Sequence, residues 1–127
     1  MQFRQTEQAP RALGPYSQAV RTGNLLFVSG QIALNPAGEF LADSVAAETK
    51  QVLRNLQKIL ATENLTLANV VKTTVFLTDI ADFAQVNEVY AEFFGEHKPA
   101  RACVAVQALP KGARVEIEAV AECRCSP

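Results

Sequence analysis

A chain of 127 residues with a formal net charge of −1, a pI near 5.8 and 20% charged residues has the make-up of an ordinary soluble domain, which excludes intrinsic disorder and fibrous repeats. Its length predicts one domain over residues 1–127, large enough to bury a real core. No block of Lys or Arg supplies the basic footprint of a nucleic-acid binder, and no stretch approaches the roughly 18 apolar residues of a membrane span, so neither nucleic acid nor membrane is an expected partner.

Residues 1–11 are polar and lack the apolar run of a secretion signal, and a cytoplasmic location is expected. They read as an arm leading to Gly14-Pro15-Tyr16, where the proline ring fixes its own φ and biases Gly14 toward extended geometry; a short strand follows. Leu25-Leu26-Phe27-Val28 is a buried-strand candidate ending at Ser29-Gly30, with residues 32–34 read as its continuation past a glycine irregularity. Asn35-Pro36-Ala37-Gly38 is a turn.

Val45, Thr49, Val52, Leu53, Leu56, Ile59 and Leu60 then recur at helical spacing, with Asp43 or Ser44 as the N-cap. Lys50, Arg54 and Lys58 form the solvated face of this helix. Asn64-Leu65-Thr66 matches a glycosylation sequon by chance, given the absence of a secretion signal. Residues 70–77 predict a central strand, with Val71, Thr73, Val75 and Leu77 on one face and Val70, Lys72, Thr74 and Phe76 on the other. A second helix is expected over residues 82–94: Asp82 and Gln85 resemble a capping box, Val86, Val89, Tyr90, Phe93 and Phe94 form the core stripe, and Gly95 ends it. Strands over residues 102–107 and 115–123, joined by Leu109-Pro110-Lys111-Gly112, complete an α+β order with a mixed sheet and two helices on one face.

The three cysteines, Cys103, Cys123 and Cys125, are odd in number and suit reduced thiols. Cys123 and Cys125, two apart on a strand, point to opposite faces and do not bond each other. Walker, dinucleotide-binding, nucleophile-elbow and HExxH motifs are all missing. The single histidine, His97, rules out paired-histidine acid–base chemistry and a histidine-rich metal site, and reads as an unpaired surface residue of a polar turn. On the last strand Glu116, Glu118 and Glu122 line the face opposite Val115, Ile117 and Ala119: a solvated edge, unless a cleft desolvates one of them and raises its pKa into the range of a general base. Arg101 and Cys103 share a face of the preceding strand. Arg101 has the planar fork for a small carboxylate ligand or for a structural ion pair with a glutamate. Cys103, with no histidine to activate it, reads as a small buried residue rather than a nucleophile.

Gly14-Pro15-Tyr16-Ser17-Gln18-Ala19, Phe27-Val28-Ser29-Gly30-Gln31, Val71-Lys72-Thr73-Thr74-Val75, Asp82-Phe83 with Val86-Asn87, Pro99-Ala100-Arg101 and Val115-Glu116-Ile117-Glu118 run in order through nearly the whole chain, and together they resemble the RidA/YjgF family. The resemblance implies a chorismate-mutase-like α+β fold, a homotrimer with active sites between subunits, no metal or organic cofactor, and hydrolysis of 2-imino acids such as 2-iminobutanoate and 2-iminopropanoate to 2-keto acids and ammonia. Carried over by position, Arg101 would clamp the substrate carboxylate and Glu116 would activate water. The backbone at Cys103 would hold that water or the imino nitrogen, Tyr16 would pack on the ligand from across the interface, and Ser29, Gly30, Gln31, Phe83 and Asn87 would shape the pocket. Ala102 and Gln107 depart from the family pattern, which bears on substrate preference and local packing. Two other readings are a non-catalytic trimer that binds small carboxylates and, ranked lower, a ribonuclease or translation inhibitor.

Overall fold

The computed structural model describes residues 1–41 and 43–123; Cys125 lies outside the described residues. Six strands form one mixed sheet: β1 (Gln2–Arg4), β2 (Ala19–Thr22), β3 (Leu25–Gln31), β4 (Val70–Leu77), β5 (Ala100–Ala105) and β6 (Val115–Glu122). Their order across the sheet is β1-β2-β3-β6-β4-β5. Every pairing is antiparallel except β4 with β5, because helix α2 (Phe83–Phe94) carries the chain back to start β5 beside the start of β4. Helix α1 (Val45–Leu60) makes the longer crossing from β3 to β4.

Both helices bury their apolar stripes against one face of this sheet. Leu53, Leu56, Ile59 and Leu60 of α1 and Val86, Val89, Tyr90 and Phe94 of α2 join Val28, Val75, Ile117 and Ala119 in a continuous core, each large aliphatic side chain worth about 1.5–3 kcal/mol of burial. Ser44 is the N-cap of α1, its Oγ accepting from the Ala47 N–H at 3.0 Å. No helix among the described residues is long and apolar enough to cross a membrane.

Local contacts move several boundaries from their expected places. The arm contains a strand, β1, which a short polar tripeptide does not announce. It is fastened by Glu63, in the turn after α1, which takes hydrogen bonds from Arg4 Nε on one carboxylate oxygen and from Arg21 Nη1 at 2.6 Å on the other. Burial pushes the Glu63 pKa up, but the hydrogen bonds and charges of Arg4 and Arg21 outweigh that and hold it below the ordinary value. Strand β3 stops at Gln31; beyond it, Leu34 makes only an isolated bridge to Phe40. A register shift between Val70 and Lys72 turns Val70 into the core and Val71 outward, the reverse of simple alternation. Asp82 does not cap α2; a 3-10 turn over Ile80–Asp82 precedes the helix, capped by the Asp79 side chain accepting from Ala81 N–H at 2.9 Å. Strand β5 runs from Ala100 to Ala105, leaving Gln107 beyond it. His97 is not an unpaired surface residue: its Nε2–H donates to the Val70 carbonyl at 2.6 Å. Leu26 and Val28 are buried, whereas Leu25 and Phe27 stand 39% and 45% exposed on the helix-free face.

Candidate active site

The alternation of β6 works as expected. Val115, Ile117, Ala119 and Ala121 are buried under the helices, which puts Glu116, Glu118 and Glu122 on the opposite face, with Glu116 the one that is partly covered. Its cover comes from an irregularity in β3. Val28 pairs with Ala119 and Gln31 with Ile117, so Ser29 and Gly30 together oppose the single Glu118, a bulge of the kind that re-aims backbone beside functional sites. Gly30 is thereby brought under the Glu116 carboxylate, where an added Cβ would stand 2.6 Å from Oε2 and 2.9 Å from Cδ. Only a residue without a side chain leaves Glu116 its place. Burial, and secondarily the charge of Glu118, push the Glu116 pKa above the ordinary 4.5.

The rest of this cluster is delivered by the N-terminal arm. Gln18, buried, accepts from Thr6 N–H at 2.7 Å and donates to the carbonyls of Pro10 at 2.7 Å and Thr6 at 3.1 Å. The Ser29 hydroxyl donates to the Ser17 carbonyl at 2.6 Å, and Ser29 N–H to the Gln18 carbonyl at 2.9 Å. Ser29 therefore ties the arm to β3. Held in this way, Tyr16 comes to a cavity of about 290 Å³ that Gly30, Gln31 and Glu116 also line.

Arg101 belongs to a second cluster. In the parallel β4–β5 pairing it lies beside Thr73, and Cys103 lies beside Val75. Thr73 and Val75 are buried, so Arg101 and Cys103 are on the helix-covered face. Arg101 Nη1 donates to Asn87 Oδ1 at 2.8 Å, and the guanidinium carbon sits 4.8 Å from the Tyr90 ring centroid and 5.5 Å from that of Phe83. Tyr90 is itself held by a 2.7 Å hydrogen bond between its hydroxyl and that of buried Thr73. Arg101 has no carboxylate partner among the described residues of its own chain. A guanidinium fixed by a neutral amide and two aromatic faces keeps donors and charge available for an anion. Burial pushes the Cys103 thiol up, against the pull of the Arg101 charge, so it is a neutral thiol at pH 7 and a poor nucleophile.

Arg101 and Glu116 thus emerge on opposite faces of one sheet. Tyr16, Gly30 and Glu116 line one cavity, which Gln31 also borders, while Phe83, Asn87, Arg101 and Cys103 cluster on the other face. Among the described residues, no group of three or more His, Cys, Asp and Glu side chains could hold a metal ion.

One supporting pair escaped sequence reasoning. Glu48, fully buried on α1, accepts from Arg114 N–H at 3.0 Å and from Arg114 Nε at 2.5 Å, clamping the start of β6 two residues before Glu116. Its signal was present: Glu48 lies three residues after Val45 and four before Val52, on the stripe that faces the core.

The sheet order, the two helices on one face and this division of polar groups define a small α+β protein with Arg101 and a half-buried Glu116 on separate faces of its sheet. The family described as Endoribonuclease L-PSP matches residues 6–123, and the chain belongs to it, the RidA/YjgF family. The human protein named 2-iminobutanoate/2-iminopropanoate deaminase is 51% identical over 117 residues, which cover 91% of this chain and 85% of that relative. A RutC family protein of Sinorhizobium fredii is 55% identical over 116 residues, covering 91% and 92%. The crystal structure of the YjgF gene product from E. coli superposes with a TM-score of 0.92 at 48% identity, covering 98% of this chain and 100% of that one.

Proposed function

We propose that this protein, acting as one domain of 127 residues, hydrolyses 2-imino acids to 2-keto acids and ammonia in active sites shared between copies of the chain. The observation that carries the reading is the pairing of an arginine that has no carboxylate partner among the described residues with a glutamate whose pKa is raised above its ordinary value; the names of relatives such as the human deaminase support the reaction type. Arg101 holds the substrate carboxylate through two parallel N–H donors. Glu116 takes a proton from water as the oxygen adds to the imine carbon and passes that proton to the nitrogen as the C=N double bond becomes single. Glu116 then moves the carbinolamine hydroxyl proton to the same nitrogen as the C–N bond breaks, so that ammonia leaves and the keto group forms. Cys103 contributes through its backbone, Tyr16 packs on the ligand, and Gln31, Phe83 and Asn87 set its shape.

Because the two principal groups lie on opposite faces of one chain, a cleft using both must take Arg101 from one copy and Glu116 from another. The helix-free face suits such an apposition, since Phe3, Phe27 and Val104 are exposed on it at 67%, 45% and 42%. Three copies around a closed axis, as the family resemblance implies, provide three equivalent clefts.

The test supplies 2-iminobutanoate from a threonine dehydratase with semicarbazide competing for the imine, and follows 2-ketobutyrate. Acceleration by the wild type, lost in Arg101→Ala and in Glu116→Gln, is expected. Refolding the two inactive variants together should restore about a quarter of the activity, the share of clefts that receive both intact residues under random assembly of a shared site. No acceleration overturns the deaminase reading; acceleration without recovery on mixing overturns the shared site. The ribonuclease reading has less support, because the single histidine is already bound to a backbone carbonyl.

A further inference from the structure

We infer that Arg11 and Lys111 form an anion subsite at the mouth of the Glu116 cavity, and that it selects 2-imino acids carrying a second carboxylate. The inference rests on the deaminase reading and names its substrate class. Arg11 and Lys111 come from distant parts of the chain, yet both line the cavity that holds Tyr16, Gly30 and Glu116. Neither has an ion-pair or hydrogen-bonding side-chain partner among the described residues. With Glu116 as the one carboxylate on its wall, the cavity carries an excess of positive charge before any Arg101 is brought to it.

Both cations stand on anchored backbone. Arg11 follows Pro10, whose carbonyl is gripped at 2.7 Å by the buried Gln18 amide. Lys111 adopts φ +58°, a left-handed conformation that costs a side-chain-bearing residue, in a turn closed by Ala113 N–H donating to the Pro110 carbonyl at 3.1 Å. Glu48 fixes the next part of that loop through Arg114. Strained backbone and rigid supports under two unneutralised cations suit a binding subsite better than a mobile solvated rim. The cavity volume of about 290 Å³ leaves room for a four- or five-carbon dicarboxylate. With the 2-carboxylate on Arg101 and the imine carbon near Glu116, the distal carboxylate of an iminosuccinate or 2-iminoglutarate reaches the charges that a monocarboxylic imino acid leaves unused.

The test compares kcat/KM for 2-iminosuccinate and 2-iminoglutarate, generated from the amino acids by flavin-dependent oxidases, with that for 2-iminobutanoate. It uses the wild type, Arg11→Gln, Lys111→Asn and the double variant; asparagine tolerates the left-handed backbone at position 111. The expected result is a dicarboxylate-to-monocarboxylate ratio that falls at least tenfold in the double variant, with succinate binding weakened more than butyrate binding by calorimetry. A ratio that stays constant, or wild-type succinate binding no tighter than butyrate binding, overturns the subsite. If the wild type hydrolyses none of the imines, the deaminase reading fails, and calorimetry with succinate and butyrate alone decides whether the cations form a dianion site.

Discussion

The Glu116 carboxylate rests over the bare Cα of Gly30, close enough that a single methyl group on Gly30 would come within 2.6 Å of Oε2. The contact is with the end of a flexible side chain, so an alanine is accommodated by displacing the carboxylate rather than the strand. Gly30→Ala is therefore expected to lower kcat about tenfold or more, the cost of misplacing a reacting group, with little change in melting temperature. An unfolded Gly30→Ala protein, or one with wild-type kcat, contradicts this account.

The raised pKa of Glu116 fixes a sign. In its proposed role as general base Glu116 must be ionised, so the rate should climb with pH through an acid limb lying above the ordinary glutamate value of 4.5. Burial raises that limb most, and the Glu118 charge raises it further, so Glu118→Gln should move it to lower pH. For stability, a folded-state pKa above the unfolded one contributes fully below the unfolded value and is lost as pH rises through the folded value. Glu116→Gln should accordingly flatten this part of the stability profile, as measured by denaturant melts from pH 4 to 8.

At Arg101 the prediction concerns geometry as much as charge. Arg101→Ala should cost about a hundredfold in kcat/KM, and Arg101→Lys should recover only a small part, because an ammonium cannot present two parallel donors. Cys103→Ser should lose less than about tenfold, since the proposed role belongs to its backbone and burial holds its thiol pKa up. A Cys103 variant as inactive as Arg101→Ala would restore the thiol to the mechanism.

The Glu48–Arg114 clamp makes an asymmetric prediction. Arg114→Ala strands a fully buried carboxylate and should destabilise by about 3–5 kcal/mol. Glu48→Gln keeps an acceptor for Arg114 N–H and should cost less than half of that. Chemical denaturation of both variants checks the order.

Long periodic stretches made the fold legible: the stripes of α1 and α2 and the alternation of β6 read directly as buried faces. What escaped depended on contacts between segments distant in sequence. Strand β1 exists because Glu63 reaches back to two arginines, and His97 is ordered by a carbonyl 27 residues away. Val71 turned outward because the β4–β6 ladder slips by one residue, which alternation within a single strand cannot reveal. For the site, Arg101 and Glu116 were visible as residue types, and resemblance supplied their roles. Their separation onto two faces was not visible, because it depends on which neighbour each strand takes.

The Glu63 carboxylate ties two strands at one end of the sheet, β1 through Arg4 and β2 through Arg21, to the end of α1. Its depressed pKa means that this contribution is complete above the unfolded value and drains away as pH falls through the folded one. Acid therefore loosens the sheet from its N-terminal border inward. Once β1 lifts, β2 presents a row of vacant amides and carbonyls to any other chain in solution, so the path from acidification to aggregation starts at a single side chain far from the chemistry.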